Sequence, residues 1–305
     1  MHGSIDTWPF PAGLTSALLI LLLVYTRGWL RLRRAAPTSP ASPSIKHVGL
    51  FVLGLGMLWI AVASPLRAMA HELLSIHMVQ HILLGAVAPP LIWLSAPVLP
   101  ILVGLPRWLG LRTDAAIMSD ALEPFGRLLT HPYTAWLAGV LTIIGWHVPA
   151  AFALAQRSEF WHWMQNGSFF VTGLLFWWPV VQPWPAAARL APTIVPLYLF
   201  AATLPCDALS AFLVFCDRVV YRRHAAELSH FHVSALADQQ TAGALMWVSI
   251  TFLYVVPAIV LTVQALSPRR ECSERFDKES FVERSTWSRC ARDRTGEAGR
   301  TAVSA

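Results

Sequence analysis

The chain has 305 residues, of which 55% are hydrophobic and only 13% charged, and its mean hydropathy is +0.52. A water-soluble domain carries about a quarter charged residues, so the composition excludes an ordinary aqueous surface and points to lipid. The net charge of +6 is divided among short connections and one tail rather than gathered in a patch. That distribution argues against nucleic acid as a partner and makes the basic residues a record of membrane orientation.

In chain order, seven segments reach the roughly 20 mostly apolar residues that a span needs. They cover residues 12–30, 48–66, 73–103, 134–152, 160–181, 193–215 and 242–266. No basic n-region precedes the first, so it reads as a retained span rather than a cleaved signal peptide. The third is overlong and contains Pro89, Pro90, Pro97 and Pro100. It is expected to be kinked, or to be a helix followed by a re-entrant or interfacial piece. Period-2 alternation is absent, which excludes a strand barrel, and no internal repeat is visible. The expected fold is all-α: a polytopic transmembrane helical bundle of about seven spans over residues 1–266. Residues 267–305 are polar and charged with little apolar periodicity, and are expected to form a disordered cytoplasmic tail.

Four cysteines, Cys206, Cys216, Cys272 and Cys290, form no CxxC pair, so neither a disulfide framework nor a zinc ribbon is indicated. The histidines are more informative. There are eleven, and most fall at one end of the expected spans: His71, His77, His81, His147, His162, His224, His230 and His232. An ionisable group retained at membrane depth is a functional hypothesis by default. In His77-Met78-Val79-Gln80-His81 the i, i+4 spacing stacks two imidazoles on one helix face, with Gln80 on the same stripe. Such a pair can chelate one metal ion, and it can equally form interhelical hydrogen bonds. It is not a zincin helix, because Met78 and not Glu follows the first histidine; no group is placed to activate water, and no catalytic residue is assigned. His147, His162, His230 and His232 would join the pair in one layer if the helices bundle. Met78, Met164, Met246 and Cys216 lie at similar depth, and sulfur ligands shift such a site toward Cu(I). Asp238 and Gln239 open the last span, where Asp238 can cap the helix and the glutamines need internal partners. Gln80, Asp238, Gln239 and Met246 are therefore the further candidates for binding a cofactor.

The ordered motifs His77-Met-Val-Gln-His81-Ile-Leu-Leu, Ala88-Pro89-Pro90-Leu91, Trp146-His147-Val-Pro149, Phe176-Trp177-Trp178-Pro179 and Asp238-Gln239-Gln240-Thr-Ala242-Gly243-Ala-Leu-Met246-Trp247 together resemble the CtaG-type cytochrome c oxidase assembly factors. The resemblance covers roughly residues 10–265. It implies a seven-span protein of the bacterial inner membrane that aids copper-dependent assembly of a haem–copper oxidase, with oxidase subunits and the lipid bilayer as partners and copper as the metal. One motif departs from the pattern. Where family members often carry His-x-x-Glu-His at the start of the fifth span, this chain has His162-Trp163-Met164-Gln165-Asn166. Two other function classes stay open: a haem-binding or redox membrane protein, and a metal transporter. Haem would call for ligand pairs at both membrane depths, and a transporter for repeats and midplane sites.

Orientation follows from the Lys and Arg in the connections. With the N-terminus outside, the inner connections hold nine (Arg27, Arg31, Arg33, Arg34, Lys46, Arg107, Arg112, Arg127, Arg189), the tail nine more, and the outer connections five (Arg67, Arg157, Arg218, Arg222, Arg223). The N-out, C-in arrangement predicts that reporter fusions at Ser39 and Ser267 sit in the cytoplasm and one at Glu159 outside. A cytoplasmic signal at Glu159 would refute it.

Overall fold

The computed structural model describes residues 10–35, 44–106, 128–181, 190–191, 193–221 and 233–266. Among these residues every regular element is helical: α1 (Ala12–Ala35), α2 (Ile45–Ala63), α3 (Leu66–Glu72), α4 (Leu74–Ile82), a π-helical turn (Leu83–Val87), α5 (Ala88–Leu94), α6 (Val98–Gly104), α7 (Pro132–His147), α8 (Pro149–Ala155), α9 (Glu159–Val181), α10 (Val195–Phe215) and α11 (Ala235–Leu266). Packing divides the chain into Met1–Ile259 and Val260–Ala305. Of the second unit, only the last turns of α11 lie among the described residues, so the expected tail falls outside them.

Five stretches are long and apolar enough to cross a membrane: Ala12–Ala35, Ile45–Ala63, Leu74–Leu94, Val195–Phe215 and Ala235–Gln264. A sixth forms if α7 and α8, bent by 83°, count as one span. The bend has a local cause. Val148 precedes Pro149, and a pre-proline residue is driven out of the α region; Val148 is extended, at φ −62° and ψ 128°. The expected fifth span is the 23-residue α9, less apolar on average because it carries His162, Gln165 and Asn166, all buried. Large apolar side chains such as Leu23, Phe200, Phe212 and Phe252 are exposed on the spans. On a chain of this composition that is a lipid-facing surface, and the protein is a multi-pass membrane protein.

The proline-rich third segment resolves into two parts. Residues Leu74–Leu94 form one span with a π turn in its middle. Pro89 has no N–H to donate to the carbonyl four residues earlier. That carbonyl, on Gly85, accepts instead from Trp177 Nε1 at 3.2 Å. The chain then turns at Ser95–Pro97, where Ala96 holds a positive φ of 48°, and α6 packs on α1. Gly28 and Gly104 make this crossing possible: a Cβ on Gly28 would overlap the carbonyl of Pro100, and one on Gly104 the carbonyl of Val24. Small residues allow this kind of backbone approach between membrane helices. The Tyr25 hydroxyl donates to the Ser95 carbonyl at 2.9 Å, and its ring stacks on Phe51 with centroids 4.0 Å apart. Trp29, Leu55 and Ile92 complete this core between α1, α2 and α5.

A second core joins Ala61–Ala63 of α2, Leu84 and Phe169. Here α9 crosses the π turn closely. A Cβ on Gly173 would lie 2.7 Å from the Gly85 carbonyl oxygen and 2.9 Å from Pro89 Cγ. Gly173→Ala is therefore expected to destabilise the protein by about 1–3 kcal/mol through overpacking. Gly167→Ala, where the added Cβ would meet nothing within 4 Å, is expected to be neutral or stabilising. Thermal unfolding of the two variants in detergent checks the contrast.

Candidate functional site

The residues of interest gather where α4, α9 and α11 begin and α7 ends. Helix α4 starts at a break, because Leu73 is extended (φ −114°, ψ 123°) and has no side chain able to cap the helix. The cap comes from another helix. Asp238, in the first turn of α11 and 3% exposed, accepts from the Leu74 amide at 2.6 Å and the Ser75 amide at 3.2 Å. A carboxylate on the free amides of a helix N-terminus satisfies otherwise orphaned donors and complements the helix dipole. Gln239 is committed elsewhere: its Oε1 accepts from Val220 N at 2.8 Å and its Nε2 donates to the Arg218 carbonyl at 3.1 Å. Tyr221, at the end of that segment, donates its hydroxyl to the His147 carbonyl at 2.8 Å. The side chains of Asp238 and Gln239 thus bond backbone of neighbouring segments and hold the histidine-bearing elements together.

One turn into α4, His77 and His81 are buried, with ring centroids 4.3 Å apart, as the i, i+4 spacing requires. His162 of α9 lies 6.0 Å from His77, and His147 of α7 lies 6.0 Å from His81. Four of the six expected metal-site histidines are therefore neighbours. His230 and His232 lie outside the described residues. His81 stacks on Phe169 at 3.9 Å, and both its ring nitrogens are buried without a hydrogen-bond partner among the described residues. Gln80 donates to the Ala61 carbonyl at 2.8 Å, which leaves its Oε1 unpaired. On α9, Gln165 and Asn166 share the face of His162 and Phe169 by helical register; their side-chain amides are buried and unpaired among the described residues. Buried polar atoms are seldom left without a partner, and this many in one layer makes the layer the candidate site.

The most specific geometry belongs to His147. Its Nδ1 lies 2.7 Å from the Ile143 carbonyl. A carbonyl only accepts, so Nδ1 carries the hydrogen, and in the neutral ring Nε2 is a lone pair. That nitrogen faces the Met78 sulfur at 3.3 Å. Two Lewis bases, one a nitrogen and one a thioether, converge. Beside them is a cavity of ≈ 60 Å³ whose lining includes Met78, His81, His147, Cys206, Met246 and Tyr254. Among the described residues no group of three His, Cys, Asp or Glu side chains is placed to hold a metal ion; the imidazoles meet in pairs.

Several residues stand differently from expectation. Met246 lines the cavity, but Met164 is exposed. Cys216 sits at the end of α10 with its thiol 3.4 Å from the Arg218 carbonyl, and it is Cys206, buried in the middle of α10, that reaches the cavity. His71, on α3, joins the layer 4.5 Å from His162. Its separation of six from His77 matches no helical face, and the break at Leu73 is what brings it near.

Removing the shared cap has a calculable consequence. Asp238→Ala strands two amides at the start of α4 and is expected to cost about 1–3 kcal/mol. Asp238→Asn keeps one acceptor oxygen and is expected to lose less. Thermal unfolding in detergent measures both, and equal melting temperatures for Asp238→Ala and the wild type would refute the clamp.

Relatives of this chain can now be set beside its geometry. It is 26% identical over 285 residues to uncharacterized proteins of Mycobacterium bovis and Mycobacterium tuberculosis, covering 90% of this chain and 42% of each relative. An uncharacterized protein of Mycobacterium leprae is 23% identical over 286 residues, 90% of this chain and 41% of that protein. The chain thus spans about two-fifths of the length of the curated relatives it matches. No solved structure matches it. Residues 23–267, which begin within the first span and hold every motif of the histidine layer described above, match the cytochrome c oxidase caa3 assembly factor family, and the chain belongs to that family.

Proposed function

We propose that this chain is a membrane assembly factor that takes up copper as cargo at its histidine layer and passes it to a subunit of a haem–copper cytochrome c oxidase. The observation that carries the reading is the convergence of His147 Nε2 and Met78 Sδ, 3.3 Å apart, beside His81. A nitrogen lone pair facing a thioether, next to a cavity that also exposes Cys206 and Met246, is a donor set suited to Cu(I). The residues divide the work. His77 and His81 present imidazoles from one helix, His147 and Met78 add a second helix and a soft ligand, and Asp238 fixes where α4 begins. Gln80, tied to Ala61, sets the rotation of α4 against α2. The pairwise arrangement suits a protein that must release its cargo, since a closed four-ligand cage of the structural-zinc kind retains its ion.

The membrane arrangement that fits this role has seven crossings, the N-terminus outside and the C-terminus in the cytoplasm of a bacterial inner membrane. Helix α9, at 23 residues, is about 35 Å long and long enough to span; its His162, Gln165 and Asn166 are buried. With the Lys/Arg bias setting the orientation, the histidine layer lies near the outer surface, where an oxidase subunit can receive copper.

Replacing His77 and His81 together with Ala is expected to lower copper affinity at least about tenfold while leaving insertion intact. Cells carrying the variant should show reduced oxidase activity, partly restored by added copper. Elemental analysis of purified protein and oxidase assays of membranes check this. Normal copper binding with normal oxidase activity would make these histidines structural, holding α4 to its neighbours by hydrogen bonds.

A further inference from the structure

His71 lies outside the motifs that carry the family resemblance. It sits on the short helix α3, partly buried, before the Leu73 break. Its Nδ1 meets Gln156 Oε1 at 3.3 Å. An amide oxygen only accepts, so the hydrogen is on Nδ1, and Nε2 is left as a lone pair in the neutral ring. The His71 ring is 4.5 Å from His162. From there the rings continue without a gap: His162 to His77 at 6.0 Å, His77 to His81 at 4.3 Å, His81 to His147 at 6.0 Å. Five imidazoles from four helices form one file. It begins at a part-buried residue, passes through His162 and His77 at 1% and 0% exposure, and ends on the opposed His147 nitrogen and Met78 sulfur.

We infer that this file is a loading path, with His71 and His162 taking up Cu(I) at its mouth and handing it inward to His77, His81 and finally His147 with Met78. The inference rests on the copper reading above and adds to it a role for His71. Metal–imidazole bonds are about 2.0–2.1 Å long. Neighbouring rings this close can share one ion by turning about their side-chain bonds, so the ion is never released into the hydrocarbon. Each step forms one copper–nitrogen bond as another breaks. The copper stays monovalent, and neutral rings neither gain nor lose a proton. Meeting in pairs selects the cargo as well: Cu(I) is content with two ligands, whereas zinc calls for four. The mouth is prepared for a cation. Arg67, which would otherwise repel one, is ion-paired to Glu159 at the start of α9, and its guanidinium lies over the Trp163 ring at 5.1 Å.

The test is the rate of Cu(I) transfer from a chromophoric Cu(I)–bicinchoninate complex to the full chain in lipid nanodiscs, followed by stopped flow, together with the amount bound at equilibrium. His71→Gln is expected to slow loading roughly tenfold and to leave the equilibrium amount unchanged. His71→Cys restores a soft ligand at the mouth and should recover the rate, which a purely structural residue would not do. An unchanged rate in His71→Gln overturns the path. So does a His71→Gln protein that loses copper at equilibrium as His81→Ala does, because His71 would then belong to the terminal site. A wild-type chain that takes up no Cu(I) overturns the copper reading itself, a result distinct from either.

Discussion

The backbone amides of Leu74 and Ser75 have no acceptor within their own helix, and the carboxylate of Asp238 supplies one from the first turn of α11. The placement of the histidines on α4 depends on that bond. It lets α4 begin where Leu73 has broken the chain, and so places His77 and His81 one turn inside the bundle while leaving His71 on a separate helix. The next residue, Gln239, fastens the backbone of Arg218 and Val220, and the neighbouring Tyr221 in turn holds the carbonyl of His147 at the end of α7. In hydrocarbon an unsatisfied polar group is costly, so a single turn carrying Asp238 and Gln239 fixes the relative position of α4, α7 and α11. The buried polar residues around the histidine layer therefore fall into two sets. Those of α11 bond backbone and build the frame. Gln80, His81, Gln165 and Asn166, on α4 and α9, keep side-chain atoms without a hydrogen-bond partner among the described residues.

The same division explains what could be read from the sequence. Apolar length announced the spans, because a bilayer core demands about 20 residues whatever the fold, and the i, i+4 spacing of His77 and His81 survives as a ring pair because one helix carries both. His147 and His162 could be placed in the same layer from their positions at span ends. Three features were not legible. The 83° turn at Val148–Pro149 was hidden in a continuous apolar segment, since a pre-proline residue restricts the chain without revealing which way it turns. The role of Asp238 and Gln239 depended on acceptors and donors far away in sequence. The contact of His71 with His162, beyond its place at that end of the spans, comes only through the break at Leu73. Of the sulfur residues, Met78 and Met246 lie where depth suggested, while Cys206 displaces Cys216 because depth along a helix says nothing of which face is turned inward.

The glycines at the crossings carry a related lesson. Gly28 with Gly104, and Gly173 with Gly85, bring backbones together where lipid offers no hydrophobic drive to do so. At the second crossing the approach serves the site. It seats Phe169 on His81 and lets Trp177 reach the Gly85 carbonyl that Pro89 has freed.

The π turn at Leu83–Val87 fixes how the two halves of its span are rotated against each other. A helix forms such a turn when it absorbs one residue more than an α-helix would hold, with α geometry resuming on both sides. The histidine-bearing turns before it and the proline-bearing turns after it then behave as two blocks whose relative rotation that residue sets. Deleting that residue would rotate one block against the other by about 100°, turning Ile92 and Trp93 away from α2 and α9 or His77 and His81 away from their layer. The length of this segment should therefore be far less free to change than the identity of the residues within it.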